Sequence, residues 1–165
     1  MRSSAVAPRL LVSLSGLRLC LNRRNTMLRY QLLHPEILAA LGGAGHGSQI
    51  LIADGNYPFE TGSNPSARRV FLNLAPGLLT ATDVLSVLVD AIPIEVAHVM
   101  VPDAGEEPPI FGEFRSILND MELYILRRFD FYAAARGPDL ALVIATGDRR
   151  IYSNILLTIG VVSPA

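Results

Sequence analysis

Lysine is absent from this 165-residue sequence, and all fourteen of its basic residues are arginines. The chain therefore has no lysine for a Schiff base and none for a phosphate-binding loop. Cysteine is nearly absent too: Cys20 is the only one, so the rest of the chain has no disulfide and no thiolate chemistry. No G-x-G-x-x-G or Walker loop follows an apolar run, and nothing in the sequence supports nucleotide binding.

Positive charge is scarce beyond the first 26 residues. Five arginines and no acidic residue precede Met27, whereas nine arginines and fifteen acidic residues lie in the remainder, a formal net charge of −6. Because phosphate binding needs clustered positive charge, this acidic body argues against nucleic acid as a partner.

Residues 1–26 are rich in arginine and serine and contain only short apolar runs. This composition is similar to that of a transit peptide, but Met27 opens a sequence typical of a natural start, and we favour a wrongly assigned start. The apolar run is too short and too interrupted to span a bilayer. We expect this leader to be disordered, the folded domain to occupy residues 27–165, and the protein to be cytoplasmic without membrane contact.

The body has the length of one domain and the hydrophobic content of a globular protein. Short helices alternating with apolar strands predict an α/β domain whose sheet is mostly covered by short helices. The expected helices are 32–41, 82–91 with Thr82 as its cap beside Asp83, about 109–121, and 129–136. The expected strands are 49–53, 70–74, 94–101, 123–126, 140–145 and 154–159, with a long loop at 54–67.

The segment GHGSQILIADGNYP contains the first candidate site residues, His46 and Asp54. Glycines on both sides leave the His46 imidazole accessible, and an accessible histidine can act as a general acid or base near neutral pH. Asp54 follows a strand, where α/β proteins tend to place ligand-contacting side chains. A loop histidine without a role and an ordinary Asp-Gly-Asn turn are the simpler alternatives. An extended strand would hold the two residues at opposite ends, so a bend or a neighbouring subunit would have to bring them together.

A metal-dependent hydrolase that uses His46 and Asp54 is a weaker alternative. The histidines at 34, 46 and 98 show no metal-ligand spacing, and no G-x-S-x-G motif is present. His98 lies within an apolar strand and is better explained as a core histidine. We expect His34 to help begin the first helix.

Two later segments, LRRFDFY and IYSNILLTIGV, add polar groups next to predicted strands. They contain Arg128, Tyr132, Tyr152 and Asn154. Arginine, tyrosine and asparagine around a pocket suit a neutral polyhydroxylated ligand, which requires many oriented hydrogen bonds. Surface arginines and half-buried packing tyrosines are the alternative.

Together, in this order and near these separations, the three segments resemble the family of ribose pyranase and L-fucose mutarotase, over about residues 32–161. The resemblance implies a monosaccharide mutarotase that needs no metal, nucleotide or other cofactor. It also implies a homo-oligomeric ring of eight or ten chains, with sites near the subunit interfaces. His46 matches the histidine of the family's GHG motif, its proton donor, and Tyr132 matches the tyrosine of the fucose branch's FYERA segment.

The resemblance also implies the substrate-binding residues. Asp54 matches the aspartate of the DxxxP motif, and Tyr152, Ser153 and Asn154 match the Y-x-N motif. Arg128 falls where the fucose branch has arginine and the ribose branch has histidine. L-fucose is therefore the better expectation, and D-ribose the second.

The sequence departs from the family pattern at three further positions. Ser48 stands where the family usually has an acid two residues after its histidine, and Ala133 and Ala134 replace the Glu and Arg of FYERA. These departures favour the alternative function, a non-catalytic sugar-binding or regulatory protein on the same scaffold.

Overall fold

The computed structural model describes residues 31–104 and 106–162, so the interpretation of residues 1–26 lies outside the described residues. This part of the chain contains six strands and four helices. In chain order they are α1 Pro35–Gly43, β1 Gln49–Ala53, β2 Arg68–Phe71, α2 Ala81–Leu88, β3 Ile94–Val101, α3 Ile110–Ile117, β4 Leu123–Arg127, α4 Arg128–Ala135, β5 Leu140–Ala145 and β6 Ile155–Ile159.

The six strands form one mixed sheet in the order β2-β5-β1-β6-β3-β4. β6 runs antiparallel to both of its neighbours, β1 and β3, and every other pair is parallel. One edge therefore collects the carboxyl ends of β1 to β5 and the start of β6, and we call it the carboxyl edge. The opposite, amino edge collects their amino ends and the end of β6. The predicted α/β class is confirmed.

Both faces of the sheet are covered, as the alternation of side chains along β1 illustrates. Ile50 and Ile52 point into the larger core, beneath α1, α2 and α3. Leu51 and Ala53 point to the other face, where they pack against α4 and the loop that follows β1. All four residues are fully buried, which fixes the register of β1.

The first helix begins at Pro35 rather than at the predicted residue 32, and it ends at Gly43 rather than at 41. His34 helps to begin it as expected, because its side chain accepts a hydrogen bond from the Ile37 amide. The cap predicted for α2 is wrong, because Thr80 rather than Thr82 occupies that position. The Thr80 hydroxyl accepts from the Asp83 amide at 3.2 Å, and the Asp83 carboxylate accepts from the Thr80 amide at 2.8 Å. Only a residue three positions before Asp83 can form this reciprocal pair.

Two other boundaries differ from the sequence prediction for physical reasons. α3 ends at Ile117 rather than near 121, because Asn119 and Asp120 adopt φ of 54° and 61° and cannot continue a right-handed helix. β2 ends at Phe71, where its parallel partner β5 also ends. No helix among residues 31–104 and 106–162 is long and apolar enough to cross a membrane.

Candidate functional site

Five of the candidate site residues line one cavity of about 290 Å³ at the carboxyl edge. They come from three separate segments of the chain, which the strand order brings together. The five residues are Asp54, Arg128, Tyr132, Tyr152 and Asn154.

A reciprocal hydrogen-bonded pair forms the floor of the cavity. Asp54 follows β1 and Asn154 precedes β6, and these antiparallel neighbours place the two residues side by side. The Asp54 amide donates to Asn154 Oδ1 at 2.9 Å, and Asn154 Nδ2 donates to Asp54 Oδ2 at 2.8 Å. The Asn56 amide donates to Asp54 Oδ1 at 2.9 Å. Both side chains are buried, yet each carboxylate oxygen keeps a lone pair for a ligand hydroxyl.

Burial raises the pKa of Asp54 above its ordinary value. Hydrogen bonds from Asn56 and Asn154 oppose this effect without cancelling it, and the negative charge of Asp148 adds to it. Asp54 therefore holds its proton to a higher pH than a surface aspartate would.

The loop between β5 and β6 is held to two helices by a charged network. The Arg150 guanidinium contacts the Asp148 carboxylate at 2.7 Å and the Glu113 carboxylate of α3 at 2.8 Å. Asp148 also accepts from the Ala81 amide, the first residue of α2, at 3.0 Å. Burial by itself raises the pKa of Asp148, but hydrogen bonds from Arg150 and from backbone amides outweigh it and lower that pKa.

This network supports a strained turn at the site. Tyr152 has a φ of 65°, in the left-handed region that a bulky residue adopts only when its surroundings require it. The Ser153 hydroxyl donates to the Arg150 carbonyl at 2.9 Å, which closes the turn and directs that side chain away from the cavity. The backbone N–H of Ser153 instead lies close enough to Asp54 to act against the rise in the pKa of that carboxyl. Ser153 thus contributes its main chain to the site.

Arg128 and Tyr132 reach the cavity from the start of α4, which follows β4 without an intervening loop. Arg128 is exposed, and Tyr152 beside it raises the pKa of its already permanently charged guanidinium. The Tyr132 ring meets the Tyr57 ring edge to face, with 5.4 Å between centroids. Arg128 can donate to ligand oxygens, and the tyrosines form a wall with an apolar surface.

Sequence reasoning missed Tyr57 and Met100 as lining residues of this cavity. Tyr57 is buried, its hydroxyl donates to the Gly62 carbonyl at 2.6 Å, and burial raises its pKa, so it stays protonated. Tyr57 lies three residues after Asp54 within GHGSQILIADGNYP, so its place in the sequence indicates that it could lie near the site. The sequence predicts Met100 only as a residue of a strand. Its position in the cavity depends on the order of the strands in the sheet, which the sequence does not reveal.

His46 lies at the amino edge, away from this cavity. It occupies the turn before β1, is exposed, and places Nε2 3.2 Å from Glu95 Oε2 at the start of β3. The five extended residues of β1 separate His46 from Asp54, and a strand of that length spans roughly 16 Å. A single chain therefore does not bring His46 and Asp54 together.

The other two histidines have structural positions. His34 caps α1, and His98 is a half-buried residue of β3 beside Tyr124, where burial lowers its pKa and so favours the neutral imidazole. Among the described residues, no group of three or more His, Cys, Asp or Glu side chains is arranged to hold a metal ion.

The sequence model of the RbsD / FucU transport protein family matches residues 27–162. Human fucose mutarotase is 35% identical over 144 residues, covering 80% of this chain and 91% of the human protein. D-ribose pyranase of Variovorax paradoxus is 30% identical over 141 residues, covering 82% of this chain and 98% of that protein. The solved structure of the fucose mutarotase of Streptococcus pneumoniae in complex with L-fucose has a TM-score of 0.68 at 27% identity, covering 79% and 94% of the two chains.

Proposed function

Because this chain belongs to the RbsD / FucU transport protein family, we propose that it is a sugar mutarotase, an isomerase that interconverts the anomers of a free monosaccharide. The observation that carries the proposal is the cavity in which Asp54, Arg128, Tyr132, Tyr152 and Asn154 meet. Its volume of about 290 Å³ is at the lower end of small-molecule sites, which suits one sugar ring better than an oligosaccharide.

The polar groups of the cavity match the needs of a polyol ligand. Asp54 offers acceptors, Arg128 offers donors, and Asn154 is held in one orientation by its pair with Asp54. A site whose hydrogen-bonding groups are already oriented loses little entropy on binding. L-fucose is the proposed substrate and D-ribose the second choice, because Arg128 is the residue of the fucose branch.

Anomer exchange needs two proton transfers and no cofactor. Opening the ring removes the proton of the anomeric hydroxyl and protonates the ring oxygen, and closure on the other face reverses both transfers. His46 performs one transfer, and Tyr132 or a water molecule relays the other. Each positioned acid or base contributes about 10²–10⁴-fold to the rate.

His46 reaches a cavity in this proposal only from a second copy of the chain. The amino edge of one copy, with His46, faces the carboxyl edge of the next, and repetition of this contact closes a ring of eight or ten chains. Two large apolar side chains beside the cavity support such a contact: Phe129 is 76% exposed and Ile151 is 68% exposed. A partner that covers them also excludes water from the sugar.

The proposal is tested by NMR exchange spectroscopy of the two anomers of L-fucose, D-ribose and a panel of other aldoses. We expect the wild-type protein to accelerate exchange of L-fucose most, and His46→Ala to reduce kcat by about 10²-fold or more. Arg128→Ala should raise KM about tenfold, since hydrogen bonds to charged groups are the stronger ones, while Arg127→Ala serves as the matched control.

Sugar binding without acceleration of exchange would support the non-catalytic alternative, for which Ser48 and Ala133 would be the first positions to restore. Exchange that is unchanged in His46→Ala would remove His46 from the mechanism.

A further inference from the structure

The contact between His46 and Glu95 at the amino edge has no counterpart in the sequence motifs. Taking the proposed mutarotase function as given, we propose that Glu95 is the positioning residue of His46. It replaces the acid that the family usually carries at the position of Ser48. The supporting observations are the 3.2 Å separation of His46 Nε2 and Glu95 Oε2 and the way the backbone holds both residues.

Ser48 is engaged elsewhere and does not orient the imidazole. Its hydroxyl accepts from the Gly45 amide at 3.2 Å, and its own amide donates to the Gly45 carbonyl at 3.0 Å. These bonds close a four-residue turn with His46 at the second position and Gly47 at the third. Gly47 has a φ of 81°, as a type II turn requires at that position.

The end of β6 holds this turn and the start of β3 in a fixed relation. The Gly47 amide donates to the Ile159 carbonyl at 2.9 Å, and the Gly160 amide donates to the Pro93 carbonyl at 2.9 Å. His46, in the turn before β1, and Glu95, in β3, therefore lie on either side of β6. Their backbones are about 10 Å apart, and their side chains meet across β6.

Gly160 leaves the space that this meeting requires. A Cβ at position 160 would lie 3.1 Å from Glu95 Cβ and 3.5 Å from Glu95 Oε2. The first distance is tighter than an ordinary contact between side-chain carbons. A larger residue would therefore push Glu95 away from His46.

The contact assigns the two imidazole nitrogens different roles. A carboxylate only accepts hydrogen bonds, so the proton of neutral His46 is on Nε2, and the lone pair of Nδ1 is free to accept the proton of an anomeric hydroxyl. After that transfer the imidazole is a cation and Glu95 remains an anion beside it. Ring closure returns the proton to the sugar from Nδ1.

The contact between His46 and Glu95 contributes little to the stability of the fold, so its effect on catalysis can be tested separately. The His46 and Glu95 side chains are 58% and 38% exposed, and exposed ion pairs contribute little to stability. Removal of Glu95 should therefore change the catalytic rate and leave the melting temperature unchanged.

The test compares Glu95→Ala, Glu95→Gln and the control Glu122→Ala, which removes an exposed acid immediately before β4 at the same edge. Two properties are measured: kcat and KM for anomer exchange, and the imidazole ¹⁵N shifts of His46, which report which nitrogen carries the proton. We expect Glu95→Ala to lower kcat about tenfold at unchanged KM and to mix the two tautomers. Glu95→Gln should keep the Nε2–H tautomer, because its amide oxygen still accepts, and should recover part of kcat. Glu122→Ala should match the wild type in both measurements.

Failure of the inference and failure of the proposed function give different results. If wild-type protein exchanges no sugar, the mutarotase function is wrong, and the tautomer of His46 in Glu95→Ala still decides whether Glu95 orients it. If wild-type protein is active, an unchanged kcat in Glu95→Ala overturns the inference. An unchanged ¹⁵N spectrum of His46 in that variant overturns it as well.

Discussion

Two buried aspartates at the carboxyl edge show how strongly local contacts decide the behaviour of one residue type. Asp54 receives hydrogen bonds mainly from amides, and burial raises its pKa. The Arg150 guanidinium forms an ion pair with Asp148, and its hydrogen bonds help to lower the pKa of Asp148 despite the burial of that carboxylate. The pKa of the same side chain is thus raised in one loop and lowered in the other.

These opposite shifts predict opposite pH dependences of stability. Between the ordinary aspartate pKa and the raised pKa of Asp54, the folded state keeps a proton that the unfolded chain has lost. The contribution of Asp54 to the free energy of unfolding therefore falls as pH rises through that window. For Asp148 the folded state binds fewer protons, so its contribution is present above the ordinary pKa and is lost as pH falls through the lowered one.

Denaturant unfolding of wild type, Asp54→Asn and Asp148→Asn at several pH values from acid to neutral checks this. The stability difference between wild type and Asp54→Asn should shrink as pH rises, and the difference for Asp148→Asn should grow. Parallel curves for the two variants would contradict the opposite shifts.

At the scale of single residues, the sequence predicts site residues that belong to short motifs. It misses residues that come together only through the pairing of distant strands. Asp54 and Asn154 follow from short segments, and the structure places them 2.8 Å apart. Glu95 could not be found in this way. Glu95 lies 49 residues from His46 in the chain. The two residues meet because β1 and β3 are both neighbours of β6 in the sheet.

At the scale of single elements, the turn before β1 depends on one glycine. Gly47 adopts a left-handed φ, whereas Gly45, two residues earlier, does not and has open space where a Cβ would lie. Gly47→Ala should lower the free energy of unfolding by about 1 kcal/mol through backbone strain, and Gly45→Ala should change it by less than about 0.5 kcal/mol. Because His46 is the neighbour of Gly47, the first variant should also lower kcat. Equal stabilities of the two variants would show that the turn tolerates a side chain.

The start of α2 offers a second test of a local device. Thr80→Ala removes the cap hydroxyl and should cost about 1 kcal/mol of stability. Ser86→Ala, an exposed change inside the same helix, should be neutral or slightly stabilising, because alanine is the better helix former. Thermal unfolding of both variants distinguishes a true cap from a general effect of losing a hydroxyl.

Elements are predictable where the local signal is strong. The bounds of β1, β3 and β5 match the sequence prediction, since continuous apolar runs between glycine, proline or polar residues mark them. The cap of α2 was misplaced because two threonines, Thr80 and Thr82, precede the helix and only the spacing to Asp83 distinguishes them. The strand order has no local signal at all, since it depends on contacts between residues far apart in the chain.

For the whole molecule, the main feature is that the proposed catalytic histidine and the cavity lie at opposite edges of one sheet. A test of sharing between copies follows from this separation. If Tyr132 rather than water relays the second proton, chains carrying His46→Ala and chains carrying Tyr132→Phe should each be nearly inactive alone. The second change removes only a hydroxyl and leaves the ring contact with Tyr57.

When the two variants are co-expressed at equal levels, sites that combine an intact His46 with an intact Tyr132 should form by chance. About a quarter of the wild-type exchange rate should return, since each site draws the two residues from different chains. Co-expression with no recovery would mean that the residues act within one chain or not at all. Mixing the purified variants without exchange of subunits provides the control.

The position of β6 also determines when the six-stranded sheet can be completed during protein synthesis. β6 is the last of the six strands along the chain, yet it lies between β1 and β3 and alone joins the β2-β5-β1 half to the β3-β4 half. Until residues 155–159 leave the ribosome, both halves expose an unpaired strand edge, the kind of surface through which nascent chains aggregate. Its pairing with β1 links residues about a hundred positions apart, which slows folding. The nascent protein is therefore most vulnerable in the interval before β6 is made.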